Sequence, residues 1–381
     1  MMKERIVVVG GYGHVGSMIC RELGKKYPGF VYAAGRSLER AARFSRETGG
    51  NVLPMRLDLD QPVMECEWER IKLVVMCLDQ TDDAWVAACL RSGTHYVDIS
   101  AKAEFLSQVA KWRDVAEESY STAVLSVGLA PGLTNLMASL AGQSLDVTEL
   151  IDISIMLGLG DRHGKAAVEW TVDNLLSTFQ VMDNLLSTFQ VMENHRLRTV
   201  ASFSDGRTVR FGRKIGRKKV YRFPFSDQST LPHTMGVSAV STRLGFDSTL
   251  LTSILAGCRV SGLHRLLKVK WIRNAAVRAI MNIKMGSDDV ALRVDAYGQL
   301  HGKDSKVECL LVGRDQSRLT AKVAITVAEA VYNGGLPSGV FHIDQLYELA
   351  DMRDWMEKEV SVEVRRDGVR SEDSFAGQIE S

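Results

Sequence analysis

Cysteine is scarce in this chain, and its few copies are scattered. They are Cys20, Cys66, Cys77, Cys89, Cys258 and Cys309. None forms a CxxC pair and none lies at zinc-ligand spacing from a histidine, so the sequence predicts neither a metal site nor a disulfide framework. We interpret all six as the reduced thiols of a cytoplasmic protein.

Neither sign of charge is in excess. The 381 residues include 47 Lys and Arg against 46 Asp and Glu, a net charge of +1, which gives no overall attraction to nucleic acid or membranes. Long hydrophobic runs are also missing: no window approaches the roughly 20 apolar residues of a membrane span. Ile6–Val9 is too short for the core of a signal peptide. We therefore expect a cytoplasmic protein with neither a nucleic-acid nor a membrane partner.

The first third of the chain alternates short apolar runs with amphipathic stretches. The predicted strands are Arg5–Val9, Val31–Ala34, Val52–Leu57, Leu73–Cys77, His95–Ile99 and Ala123–Val127. Helical patterns cover Val15–Lys26, Leu38–Thr48, Asp82–Ser92 and Ala103–Ser119. Apolar runs without polar alternation suit strands buried on both faces, and strands alternating with helices predict a parallel sheet. The fold class is therefore α/β, with a Rossmann domain at the N-terminus.

A glycine motif lies where the first strand meets the first helix. It reads Gly11-Tyr12-Gly13-His14-Val15-Gly16, which is GxGxxG in the context that the motif requires. Gly11 allows the tight turn, Gly13 lets a diphosphate approach the backbone, and Gly16 lets the helix pack near the strand. The free N–H groups of the helix then bind phosphate. The sequence predicts a dinucleotide site.

The second strand ends in Ala34-Gly35-Arg36-Ser37. An NAD enzyme usually has an acidic residue here for the ribose 2′-hydroxyl. Arg36 can instead pair with a 2′-phosphate and stack on adenine, and Ser37 could add a hydroxyl. We favour NADP over NAD; the alternative is that Arg36 is a solvated surface charge.

Polar residues follow the next three strands. Asp58 either accepts from the adenine or caps a helix. Leu78-Asp79-Gln80 and Asp98-Ile99-Ser100 follow the fourth and fifth strands. Because ligands of such sheets bind beyond the carboxyl ends of the strands, both loops should face the nicotinamide half of the cofactor.

After Gly128 the pattern changes to that of a mixed α+β domain. A helix is predicted from Pro131 to Gly142, a strand over Leu150–Gly158, and an antiparallel hairpin from Asp289–Ala296 and Lys306–Val312. The ten residues Asp173–Met182 recur identically as Asp183–Met192. Their apolar side chains continue one stripe across the join, so we predict a single long helix from about Ala166 to His195.

Together with the glycine motif and Ala34–Ser37, two further segments carry a family resemblance: His95-Tyr96-Val97-Asp98, and Gly128-Leu129-Ala130-Pro131-Gly132-Leu133-Thr134-Asn135. With them the chain resembles the saccharopine dehydrogenase family, clearly over about residues 1–145. The family includes saccharopine reductases, lysine 6-dehydrogenases and carboxynorspermidine dehydrogenases. Gly334–Val340 resembles the family's closing segment.

The resemblance implies a domain plan and a cofactor site. Residues 1–128 would be the Rossmann domain, 129–316 an α+β domain for substrate binding and homodimer contacts, 317–366 helices packing back on the first domain, and 367–381 a flexible tail. The implied cofactor contacts are Tyr12–Val15, Gly35–Ser37, Asp58, Leu78, Asp79 and Ser100. The turn that contains Ala130 and Pro131 would close over the nicotinamide.

The resemblance also implies hydride transfer between NADP(H) and a carbon that bears nitrogen, in amino-acid metabolism. It does not name the substrate. Ala130 stands where saccharopine reductases have an acidic residue, and Gly35-Arg36 differs from the acid expected in an NAD-linked lysine dehydrogenase.

Such a reaction needs a base to free the amine lone pair, and an acid in reverse. The nearest candidates are Asp79, Asp98 and Lys102. Asp98 could instead cap the following helix, and Lys102 could neutralise a substrate carboxylate or be a solvated charge.

The basic run Arg207–Arg222 either supplies one or two carboxylate ligands or is a solvated face. Two competing functions stay open: a non-catalytic NADP(H)-binding regulator, and an enoyl-type reductase.

Overall fold

The structure is a computed structural model. It describes residues 3–61, 67–80, 82–160, 172, 188–193, 196–262, 266, 269–282, 286–372 and 374. The chain divides into two compact units. The first unit is Met1–Leu133 with Ser317–Tyr347, and the second is Thr134–Gln316 with Glu348–Ser381.

The elements are numbered in chain order within the described residues. The strands are β1 (Arg5–Val9), β2 (Val31–Gly35), β3 (Val52–Arg56), β4 (Ile71–Met76), β5 (His95–Asp98), β6 (Thr122–Leu125), β7 (Val147–Leu157), β8 (Thr188–Glu193), β9 (Arg196–Ala201), β10 (Arg207–Arg210), β11 (Arg217–Arg222), β12 (Ala239–Phe246), β13 (Asp289–Leu300), β14 (Lys303–Arg314), β15 (Gly339–His342), β16 (Ser361–Arg366) and β17 (Val369–Arg370). The α-helices are α1 (His14–Lys26), α2 (Leu38–Glu47), α3 (Ala84–Arg91), α4 (Ala103–Ala110), α5 (Arg113–Glu118), α6 (Leu133–Gln143), α7 (Gly212–Ile215), α8 (Asp227–Met235), α9 (Thr249–Val260), α10 (Lys270–Asn282), α11 (Gln316–Asn333) and α12 (Arg353–Glu359). Short 3₁₀ turns lie at Trp68–Arg70, Ile343–Gln345 and Leu349–Met352.

The first unit is built on a parallel sheet in the order β15-β6-β5-β4-β1-β2-β3. The predicted α/β fold with a Rossmann sheet is confirmed. Val7, Val8 and Val9 are almost fully buried in the interior strand β1, as expected for a strand covered on both faces. Because the strands are parallel, their carboxyl ends meet at one edge of the sheet. The site residues predicted after β1, β2, β4 and β5 therefore lie at this edge.

The second unit contains a mixed sheet in the order β10-β11-β12-β7-β13-β14-β16-β17. Strand β12 runs parallel to β7, and β13 pairs antiparallel with both β7 and β14. The predicted hairpin is therefore present, and its strands are longer than the alternation indicated. Strand β16 pairs with β14, so Ser361–Arg366 belongs to this sheet. The prediction that these residues form helices packed on the first unit is wrong.

Two helix predictions need correction. The long helix from about Ala166 to His195 is wrong at its end, because Thr188–Glu193 is strand β8 and pairs antiparallel with β9. The rest of that prediction lies outside the described residues, apart from Val172. The stretch Ala103–Ser119 is two helices, α4 and α5, separated at residues 111–112. The predicted flexible tail begins with the short strand β17, and residues 375–381 lie outside the described residues.

Candidate active site

The turn after β1 is as compact as the glycine motif predicts. A Cβ on Gly11 would lie 2.7 Å from the Val8 carbonyl oxygen, and one on Gly16 would lie 2.3 Å from that of Gly10. These two glycines are therefore required by packing between the strand, the turn and the helix. Gly13 is different, since it is exposed and a Cβ there would approach only the Gly10 oxygen, at 3.0 Å. Its missing side chain keeps the outer side of the turn open.

Helix α1 presents an uncapped N-terminus at this open turn. No side chain caps it at Gly13, and no acidic residue lies in its first turn. Free N–H groups and the positive end of the helix dipole suit a diphosphate. The buried Nε2 atom of His14 also has no hydrogen-bond partner among the described residues. The site therefore fits the cofactor that the motif predicts.

Tyr12 organises the end of β2. Its hydroxyl accepts a hydrogen bond from the Ser37 backbone N–H at 3.0 Å, and a Cβ on Gly35 would lie 2.4 Å from that oxygen. The guanidinium of Arg40 lies over the Tyr12 ring, 5.0 Å from its centre. Arg36 is exposed and has no hydrogen-bond or ion-pair partner within the described part of the chain. Two cations are thus available beside the position expected for a 2′-phosphate.

Three predicted contacts have local structural roles as well. The Ser37 hydroxyl caps α2 by accepting from the Arg40 N–H at 3.3 Å. Asp58 accepts from the Asp60 N–H at 3.3 Å, so it closes a local turn. The Leu78 side chain packs at Gly10, where an added Cβ would lie 3.0 Å from it, which places Leu78 beside the glycine turn.

Asp98 is a fully buried carboxylate at the end of β5. It accepts a short hydrogen bond from the Tyr96 hydroxyl, and its Oδ1 accepts from the Ser100 N–H at 2.5 Å. The Tyr96 hydroxyl in turn accepts from Gln80 Nε2 at 2.7 Å. Burial raises the pKa of Asp98 to about 7, although both hydrogen bonds oppose that rise. Its alternative role as the cap of α4 is wrong, because α4 begins after Lys102 without a side-chain cap.

Asp79 and Lys102, on the loops that follow β4 and β5, form an ion pair. Asp79 Oδ2 lies 3.1 Å from Lys102 Nζ, and the two side chains are 40% and 36% exposed. The loops after β4 and β5 are therefore joined by an accessible acid and an accessible base. Of the three predicted catalytic residues, these two are partly exposed, while both oxygens of Asp98 are engaged inside the protein.

Sequence reasoning missed a second polar pair at this edge of the sheet. Ser126 follows β6, is buried and has a φ of 59°. Its hydroxyl lies 2.8 Å from Nδ1 of His342, the last residue of β15. The pattern gave no signal because 216 residues separate the two side chains. The nearby turn that contains Ala130 and Pro131 is closed by a bridge between Leu129 and Gly132.

The second unit contains a polar cavity of about 470 Å³ on its mixed sheet. Arg243 is 1% exposed there and binds two carboxylates, Asp152 at 3.1 Å and Asp205 through a shorter contact. Arg207 also reaches Asp152, at 2.7 Å, and Arg222 is buried in the same lining. Arg207 and Arg243 therefore share the Asp152 carboxylate, and Arg222 lies in the same lining. Arg207 and Arg222 of the predicted basic run line a cavity and do not form a purely solvated face.

Comparison with known proteins gives a family match for the first unit and a similar fold. Residues 6–124 match the saccharopine dehydrogenase NADP-binding domain family. No curated protein matches the chain in sequence. Among solved structures, apo saccharopine dehydrogenase (L-Glu forming) from Saccharomyces cerevisiae is similar with a TM-score of 0.64 at 12% identity, over 95% of this chain and 100% of that one. C. glutamicum DAP dehydrogenase in complex with DAP has a TM-score of 0.45 at 14% identity, over 93% and 98% of the two chains.

The fold and the glycine turn define a dinucleotide-binding protein with a Rossmann domain, and the family match indicates NADP. More specifically, residues 6–124 match the NADP-binding domain of the saccharopine dehydrogenase family, and the chain is similar in fold to yeast saccharopine dehydrogenase. The family resemblance and the NADP cofactor predicted from the sequence are confirmed. Within the described residues, no helix is long and apolar enough to cross a membrane.

Proposed function

We propose that this protein is a dehydrogenase that transfers a hydride between NADP(H) and a carbon–nitrogen bond of an amino-acid or polyamine-type substrate. The observation that carries the proposal is the Asp79–Lys102 ion pair, on the two loops that follow β4 and β5 in an NADP-binding domain. Ligands of such sheets bind beyond the carboxyl ends of the strands, which is where these loops lie. An accessible acid and base are therefore available at the reaction centre.

NADP supplies the hydride acceptor in the oxidative direction and NADPH the donor in reverse. When the substrate carbon loses a hydride, its nitrogen must also lose a proton, and the resulting imine is hydrolysed by water. We assign that proton to the Asp79–Lys102 pair. Asp98 is a positioning residue in this scheme, because it holds the Ser100 N–H and thereby fixes the loop that carries Lys102.

The cavity of the second unit supports a substrate that carries a carboxylate. Arg207 and Arg222 line it together with Arg243, Asp152 and Asp205, so three guanidinium groups lie in this lining. A guanidinium pairs with a carboxylate in a bidentate geometry. We therefore favour an amino-acid substrate over a polyamine that has no acid group.

A substrate panel tests the proposal. Purified protein is mixed with NADP⁺ or NAD⁺ and with lysine, saccharopine, ornithine-type and polyamine substrates, and nicotinamide absorbance is followed. We expect turnover with at least one nitrogen-bearing substrate and a loss of about a hundredfold or more in kcat for Lys102→Met. Lys111→Met, an exposed change directly after α4, is the matched control. Cofactor binding without turnover would favour the regulator, and reduction of carbon–carbon double bonds alone would favour the enoyl-type reductase.

A pH profile separates the two roles. Lys102→Met and Asp79→Asn should change the pH dependence of kcat because they remove a proton-transfer group. Asp98→Asn should lower kcat but should leave unchanged the pH dependence of kcat that comes from Asp79 and Lys102. If Asp98→Asn alone abolished one limb of the profile, Asp98 itself would be the acid–base group.

A further inference from the structure

The charge balance of the whole chain conceals a strongly basic segment. Residues 248–287 contain seven Lys and Arg and no Asp or Glu, while the rest of the chain has 40 Lys and Arg against 46 Asp and Glu. The segment includes helices α9 and α10. A local field of one sign can direct binding even where the net charge of the chain is close to zero.

Large apolar side chains are exposed in the same segment. Trp271 is 71% exposed, Leu266 is 53% and Val269 is 42%. They lie together at the start of α10, since the N–H of Val269 donates to the Leu266 carbonyl at 3.1 Å and that of Ile272 to the Val269 carbonyl at 2.9 Å. Lys270 is exposed between them, and Arg278 is exposed two turns further along α10. These five residues, Leu266, Val269, Lys270, Trp271 and Arg278, are here called the basic apolar surface.

The intrinsic stability of the helix does not account for this composition. The N-terminus of a helix favours acidic side chains and disfavours cations, yet the first turn of α10 contains Lys270 and no acid. Neither Lys270 nor Arg278 forms an ion pair with any residue that the structure describes. The cations are therefore available to an external anion, next to apolar groups that water solvates poorly.

We propose that the basic apolar surface docks on an anionic phospholipid bilayer and holds the protein at the membrane interface without spanning it. Cationic side chains attract anionic headgroups while Trp and aliphatic side chains enter the boundary with the acyl chains. A second copy of the chain fits this surface less well, because a two-fold contact would bring the cations of both copies together. Nucleic acid would use the cations but leave Leu266 and Val269 exposed. This inference is independent of the proposed enzyme activity.

Vesicle sedimentation of the full chain tests the proposal. Vesicles of phosphatidylcholine alone are compared with vesicles that also contain phosphatidylglycerol, at low and at physiological salt. We expect binding to the anionic vesicles that weakens as salt rises. Lys270→Glu with Arg278→Glu should lower the bound-to-free ratio about tenfold or more, whereas the control Lys111→Glu with Lys303→Glu, on exposed lysines elsewhere, should leave it nearly unchanged.

An apolar variant distinguishes the possible occupants. Leu266→Ser with Trp271→Ser should also release the protein from anionic vesicles, and circular dichroism checks that it is folded. Equal sedimentation with and without phosphatidylglycerol would overturn the proposal. The proposal would also be overturned if the wild type self-associated in ultracentrifugation without binding vesicles and the apolar variant did not self-associate. If the wild type bound an oligonucleotide but no vesicles, and the apolar variant still bound the oligonucleotide, the surface would be assigned to nucleic acid instead.

Discussion

At the scale of single residues, Arg36 is the side chain that tests cofactor selectivity most directly. It is exposed beside Arg40 and Tyr12, with no partner among the described residues to neutralise it. A charge-assisted hydrogen bond contributes about 1.5–3 kcal/mol. We expect Arg36→Asp to weaken NADPH binding roughly 10- to 100-fold and to change NADH binding little, as measured by fluorescence titration. Arg46→Asp, further along α2, is the control, and equal losses for both cofactors would remove Arg36 from the 2′-phosphate site.

Asp98 makes a residue-scale prediction about pH. Its folded pKa of about 7 lies above its usual value of 3.8, so between these values the folded protein holds a proton that the unfolded chain has released. The free energy of unfolding therefore falls as pH rises from about 4 to 7, by up to roughly 4 kcal/mol from this group. Asp98→Asn should flatten that fall in urea titrations at several pH values.

The flattening should be partial, because burial also raises the pKa of Asp227, to about 6. Asp60→Asn, on an exposed turn, is the control and should retain the wild-type slope. A variant of Asp98 with the same pH dependence as wild type would show that the carboxylate stays ionised in the folded protein.

At the scale of elements, the junction between β2 and α2 combines a helix cap with the cofactor site. The Ser37 hydroxyl caps α2, and the Ser37 N–H is held by Tyr12. Loss of an N-cap costs about 1 kcal/mol. Ser37→Ala should lower the free energy of unfolding by about that amount in chemical denaturation, whereas Ser45→Ala, inside the same helix, should not. A Ser37→Ala protein of unchanged stability but weaker NADPH binding would mean that the hydroxyl serves the cofactor alone.

At the scale of the whole molecule, cofactor binding should appear as stability. A ligand present at a hundred times its Kd adds about 2.7 kcal/mol to a protein that binds it only when folded. NADPH should therefore raise the melting temperature of the wild type. Gly13→Ala should lose that rise, and its apo form should lose less stability than that of Gly16→Ala, because a Cβ at Gly13 lies 3.0 Å from the Gly10 oxygen and one at Gly16 lies 2.3 Å from it.

Gly16→Ala is the matched contrast for that experiment. Its Cβ would lie 2.3 Å from the Gly10 oxygen, so this variant should be destabilised even without cofactor. If Gly13→Ala still gained stability from NADPH, the diphosphate would not lie against this turn.

The sequence by itself determined the Rossmann sheet, and it predicted NADP as the cofactor. Both depend on local signals: apolar strands with no polar alternation, glycines that a turn requires, and Arg36 directly after β2. Reliance on local signals also explains why the helix predicted over residues 188–193 is wrong. The apolar stripe continues into this segment, but its residues form a strand because they pair with β9.

Only the tertiary structure decided which polar residues of the site are buried and which side chains they contact. The sequence does not show how deeply Asp98 is buried. In the structure the carboxylate is fully buried at the end of β5, and its two oxygens accept hydrogen bonds from Tyr96 and Ser100. Likewise, Ser126 meets His342 because β15 pairs with β6 across 216 residues of chain. Distances between side chains that are far apart in sequence follow from strand pairing, and periodicity along one segment carries no information about them.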